Sequence, residues 1–220
     1  MRRPEEIKPQ GSVRAVIGRL ARWGAVKASD NQTIDGLLII GDKGIDKIVE
    51  ALRLIRDFDP VRYKRLLGDV RQIFVTTLPA SAAQWANSSR ACELDERYVI
   101  REGTTPERIA SSIVHEATHA RLMRCGIGYE ETLRDRVERV CLRREIAFAA
   151  KLPAGTDRLE QVEATLAAMP DFSDKAMSER YIGGLRDALL YLDMPAWLVG
   201  LTVSYRRWQH RRRFSRQPIS

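Results

Sequence analysis

Hydrophobic residues in this chain recur mostly at intervals of three and four, a period that predicts a largely helical protein. Val13 to Val26 carries Val13, Val16, Ile17, Leu20 and Trp23 at that spacing, interleaved with Arg14, Arg19 and Arg22. Asn31 to Gly44 is turn-rich around the apolar run Leu37 to Ile40. Ile45 to Phe58 is then strongly amphipathic and is ended by Asp59-Pro60, and a shorter helix from Val61 to about Asp69 follows. Next the period changes. Gln72 to Thr77 is rich in β-branched and aromatic residues, and Ala91 to Leu94 and Tyr98 to Ile100 predict a hairpin around Asp95-Glu96. Helical spacing returns over Pro106 to Cys125, Glu131 to Leu152, Asp157 to Met169 and Ala176 to about Met194, with glycine or proline in the turns between them. The expected fold class is α+β, predominantly helical, with a small antiparallel sheet and helical extensions at both ends. Residues 1–60, 61–153 and 154–220 form an N-terminal helical segment, a central core and a C-terminal helical segment with a basic tail, all within one compact domain.

The helix from Pro106 to Cys125 is sharply delimited. Thr104 and Thr105 offer N-cap hydroxyls, Pro106 suits the first helical position, Glu107 meets the positive end of the dipole, and Gly126 and Gly128 supply the stop. It carries His115-Glu116-Ala117-Thr118-His119, which holds two of the chain's three histidines. Residues four apart lie one above the other on a helix, so both imidazoles can reach one metal ion. Glu116 projects beside them, where a carboxylate can take a proton from water.

A catalytic zinc needs three protein ligands and one open position. The metzincin pattern would put a glycine at position 122 and a histidine at position 125, but this chain has Leu122 and Cys125. Cys125 is a weak outsider, and His210 lies far away in an arginine-rich tail. The next helix offers more. On a helical wheel Glu145 falls about 20° from Glu138. Cys141, Leu142, Ala149 and Leu152 flank the pair, while Arg136, Arg139 and Arg143 lie opposite. Two carboxylates thus sit within an apolar stripe, which is costly unless they are paired or bound to metal.

Glu138 follows His119 by nineteen residues and Glu145 by twenty-six. With the His-Glu-x-x-His element, this spacing resembles the gluzincins, thermolysin-like zinc peptidases whose third ligand is a Glu on a following helix. The resemblance covers about Arg71 to Leu152. It implies Zn2+ held by His115, His119 and Glu138, with Glu145 the alternative third ligand, and it implies a zincin-like sheet packed on the active-site helix. The remaining glutamate would orient a histidine. Within that family an edge strand binds the substrate backbone, here placed within Arg90 to Arg101. A later residue stabilises the transition state; Tyr181, Tyr191, Tyr205 and His210 are candidates, and Tyr129 is another. The chain departs from the thermolysin pattern at Leu142 and Ala149, where an Asp often follows the ligand by four residues.

Composition fits an ordinary globular protein, with 44% hydrophobic and 30% charged residues. Cys92, Cys125 and Cys141 form no closely spaced metal-binding pair and read as thiols in a reducing compartment. Met1 to Glu6 lacks the apolar run of a secretory signal, so a cytoplasmic location is expected, with a membrane-peripheral position as the variant. The formal net charge of +8 is concentrated at one end: Arg206, Arg207, Arg211, Arg212, Arg213 and Arg216 stand there with no acid among them, interleaved with Trp208 and Phe214. Such a tail suits an anionic membrane surface, nucleic-acid phosphates, or simple solvation.

The expected function is zinc-dependent hydrolysis of a protein or peptide substrate by metal-activated water, with Glu116 as general base and then general acid. Two alternatives stand beside it. One is a catalytically silent zinc-binding zincin fold that serves a partner; the other is a basic helical adaptor for membrane or nucleic acid.

Overall fold

Asp35 and Gly36 both have positive φ, 50° and 83°, the conformation that a two-residue hairpin turn demands and that these residue types tolerate. They join β1 (Asn31–Ile34) to β2 (Leu37–Ile40), which pair antiparallel. The computed structural model describes residues 31–214, so the helix expected over Val13 to Val26 lies outside the described residues. Along the chain follow α1 (Ile45–Phe58), α2 (Pro60–Asp69), β3 (Gln72–Thr76), β4 (Ala83–Ala86), β5 (Ala91–Asp95), α3 (Glu96–Ile100), α4 (Pro106–Arg124), α5 (Glu131–Ala149), α6 (Thr156–Ala167), α7 (Asp174–Tyr191) and α8 (Ala196–Phe214). The protein is α+β and predominantly helical.

Strand order in the sheet is β1-β2-β3-β5-β4. β2, β3 and β5 run parallel, and the outer pairs β1/β2 and β4/β5 are antiparallel, so the sheet is mixed rather than antiparallel throughout. Parallel strands need crossovers, and α1 with α2 supplies the one between β2 and β3. The expected hairpin at Asp95-Glu96 is absent. Asp95 accepts backbone N–H groups from Tyr98 at 3.1 Å and Leu78 at 2.7 Å. It is therefore the N-cap of α3, and Tyr98 to Ile100 are helical. The hairpin lies one strand earlier, between β4 and β5, closing through Asn87 to Arg90 with Arg90 at φ 48°. Consequently the substrate-binding edge placed within Arg90 to Arg101 is corrected: β5 is paired on both sides, and among the described residues the sheet ends at β4 on that side.

One apolar core joins the first two expected segments. Ile48, Ala51, Leu52 and Ile55 are the buried face of α1. They pack in the same cluster as Leu37 and Ile39 of β2, Ile73 and Val75 of β3, Ile109, Ile113 and Val114 of α4, and Phe148 of α5. The expected boundary at residue 60 therefore does not divide the core. α4 contacts both α1 and α5, and it also runs along β4, which fixes its exposed face against the sheet edge.

α7 and α8 form a helical hairpin with its own small core of Ile182, Leu185, Val199 and Val203. Two tethers hold it to the rest. Arg134 of α5 donates to the Phe172 carbonyl at 2.6 Å and to Asp174 at 2.9 Å, and Tyr191 donates to Glu96 of α3 at 2.6 Å. Gly184 allows close approach: a Cβ there would stand 1.5 Å from the Pro79 carbonyl oxygen. The stretch expected as a basic tail is helical up to Phe214. Among the described residues no helix is long and apolar enough to cross a membrane.

Candidate metal centre

Thr105 caps α4 by accepting the Arg108 N–H, with Pro106 in the first turn, as its sequence demands. Four-residue spacing then stacks His115 and His119 with ring centroids 5.1 Å apart. α5 crosses this face and brings Glu138 against both rings. His115 Nε2 lies 3.2 Å from Glu138 Oε2, His119 Nε2 lies 3.4 Å from Glu138 Oε1, and the two Nε2 atoms are 3.3 Å apart. A tetrahedral zinc with ligands at about 2.0–2.1 Å would space neighbouring donor atoms by roughly 3.3–3.4 Å. The two Nε2 atoms stand at that separation from each other, and each stands so from a different Glu138 oxygen; His115, His119 and Cys141 also offer donor atoms that all lie within 4.8 Å of one another.

Glu145 holds the other side of His115, with Oε2 3.1 Å from Nδ1. Its second oxygen accepts from Arg158 of α6, Nε at 2.9 Å and Nη2 at 2.5 Å. Glu145 therefore fixes the ring whose far nitrogen points at Glu138, the role expected for whichever glutamate is not a ligand. Tyr129, in the α4–α5 loop, donates to Glu138 Oε1 and sets its ring edge-on to His119 at 5.2 Å.

Charge makes the donor set unusual. Glu116, Glu138 and Glu145 are each no more than 7% exposed. Arg158 offsets one of these carboxylates, and a divalent cation would offset the other two. Without an ion, burial works against charge on His115, but hydrogen bonds to Glu138 and Glu145 outweigh it and raise its pKa to about 10. Burial, with His115 beside it, lowers His119 to about 4. Glu116, desolvated and facing two other carboxylates, rises to about 7, although the charge of neighbouring His115 opposes the rise. Glu138 is lowered because its histidine partners outweigh burial.

A cleft of about 560 Å³ opens over these residues. It is lined by Gln84 and Trp85 of β4 and by Phe172, Met177, Arg180 and Tyr181 from α7 and the segment before it. β4 packs along α4 and so brings the edge of the sheet to the motif helix. No family model matches the chain, and no curated protein or solved structure is significantly similar to it.

Of the five candidates for stabilising a developing oxyanion, Tyr181 and Tyr129 line the cleft, and Tyr129 already donates to Glu138. Tyr191 is engaged with Glu96, Tyr205 stacks on Trp208 at 5.9 Å, and His210 contacts Ser178 Oγ at 2.9 Å and Glu179 at 3.5 Å. These three are corrected as site residues, since each is spent on a contact elsewhere. Cys125 is exposed at the end of α4. Sequence reasoning did not single out Cys141, yet its sulfur comes within 4.8 Å of donor nitrogens of both histidines. Without an ion, burial and the carboxylates of Glu138, Glu116 and Glu145 push the Cys141 thiol up, so it could join the histidines only by giving up its proton to a bound metal. Arg158 carried no sequence signal of its role.

Proposed function

We propose that this protein is a zinc-dependent hydrolase of peptide bonds, with His115, His119 and Glu138 as ligands. The carrying observation is the meeting of their donor atoms at 3.2–3.4 Å in a cleft that also holds Glu116. Zinc bound there would polarise the scissile carbonyl and acidify the attacking water. Glu116, buried in the same cleft beside the two histidines, takes the proton from that water and returns it to the departing amine. Glu145, clamped by Arg158, keeps His115 in the tautomer that presents Nε2. The outer edge of β4 offers backbone groups to an extended substrate, and Tyr181 lines the same cleft to donate to the developing oxyanion.

A second reading draws on Cys141. If its thiolate closed a fourth position, the site would be structural and silent in catalysis. Glu116→Gln separates the two. In the hydrolase, the zinc-loaded variant keeps its metal and cleaves a mixed peptide library at least about a hundredfold more slowly than wild type. Equal rates in the two proteins sink the hydrolytic mechanism.

A further inference from the structure

α8 has two apolar faces, and among the described residues only one is covered. Val199 and Val203 are buried against α7. On the opposite side Trp197, Leu201, Tyr205 and Trp208 form a continuous stripe, 70%, 61%, 56% and 42% exposed, with Leu198 beside it at 36%. At 100° per residue these five side chains fall within about 100° of arc and run roughly 17 Å along the axis. A monomeric soluble surface seldom carries such a run of large apolar side chains. The helix contains no acidic residue, and its C-terminal half holds Arg206, Arg207, Arg211, Arg212 and Arg213. Arg211 and Arg212 border the stripe, and the Arg212 guanidinium lies 3.9 Å from the Trp208 ring centroid.

We propose that this face of α8 is a docking surface for an anionic lipid bilayer. Tryptophan, tyrosine and leucine on one side with arginines at the rim is the composition of a helix lying in the headgroup plane. The arginines at one end of the stripe complement an anionic surface, a complement that the same acid-free face of a second copy does not supply. Nucleic acid would meet the arginines, but Leu198 and Leu201 offer it nothing, and Trp208 already stacks on Tyr205 with Arg212 over its ring. The inference does not depend on the zinc site.

Flotation of the full chain with phosphatidylcholine vesicles, with and without 30% phosphatidylglycerol, tests it. The protein is expected to float with the anionic vesicles and to bind neutral ones at least about tenfold more weakly, since each arginine near a charged surface adds roughly fivefold. Trp197→Ser with Leu201→Ser should abolish flotation while circular dichroism and thermal midpoint stay unchanged, because both side chains project into solvent. Gln at positions 207, 211 and 212 should weaken it roughly a hundredfold. His119→Ala should float like wild type. Absence of wild-type flotation, or undiminished flotation of the Trp197/Leu201 variant, overturns the proposal. So does binding to single-stranded RNA that outcompetes the anionic vesicles.

Discussion

Zinc and a proton compete for His115, and that competition gives the metal affinity a predictable pH dependence. In the metal-free protein Nδ1 faces Glu145 at 3.1 Å and Nε2 faces Glu138 at 3.2 Å, so both ring nitrogens are best served by carrying hydrogens. Burial opposes the charge, but the two carboxylates prevail and the pKa stands at about 10. The folded value is above the unfolded one, so this proton stabilises the metal-free fold fully below about pH 6.5 and ceases to do so as pH rises through 10. Zinc requires the Nε2 lone pair and must displace it. At pH 7 the displacement weakens binding by about a thousandfold, roughly 4 kcal/mol, and each unit of pH above 7 should restore about tenfold until pH 9 or so. Competition against a chromophoric chelator at pH 7, 8 and 9 reads the slope. Calorimetry in two buffers of different ionisation enthalpy counts the protons, of which at least about one per zinc should be released at pH 8. A flat affinity across this window, or binding without proton release, would refute the picture of a doubly clamped imidazolium.

Three further outcomes follow from named contacts. Glu145→Gln removes a charge that pairs with Arg158 and orients His115, and zinc affinity should fall about 10- to 100-fold without vanishing, as measured by the same chelator competition. Tyr181→Phe should lower kcat about 10- to 100-fold with KM and zinc content little changed; an unaltered kcat removes Tyr181 from the mechanism. In Gly184→Ala, helix propensity alone predicts a gain of about 1 kcal/mol. The Cβ would stand 1.5 Å from the Pro79 carbonyl, so a net loss of about 1–3 kcal/mol is expected in a denaturant titration, and a gain would contradict the close packing of α7.

How far the molecule could be read from its sequence varied with the range of the forces involved. α1 matches the expected Ile45 to Phe58, and α4 ends within one residue of expectation, because caps, proline and apolar period all act locally. The wheel that placed Glu138 and Glu145 on one stripe of α5 matches two carboxylates buried side by side against the histidines. Asp95-Glu96 was misread because an acidic pair marks a helix start as well as a turn, and the choice was made by the strand that Asp95 terminates. β4 was missed since Ala83-Gln84-Trp85-Ala86 has no alternation strong enough to announce a strand; pairing with β5 creates it. Cys141 reaches the site from the same stripe of α5 as Glu138, while Tyr129 and Arg158 reach it from a loop and from α6, and no local pattern encodes those two approaches. The free face of α8 was half legible: its arginines stood out, but only the packing of Val199 and Val203 on α7 revealed which apolar residues remain uncovered among the described residues.

Metal content of the purified protein and three variants tests the central claim most directly. Elemental analysis should find about one zinc per chain in wild type and in Cys141→Ser, and essentially none in His119→Ala or Glu138→Ala. A wild type that takes up no zinc after reconstitution, or zinc that survives Glu138→Ala and is lost in Cys141→Ser, would contradict the ligand set and the hydrolytic function built on it.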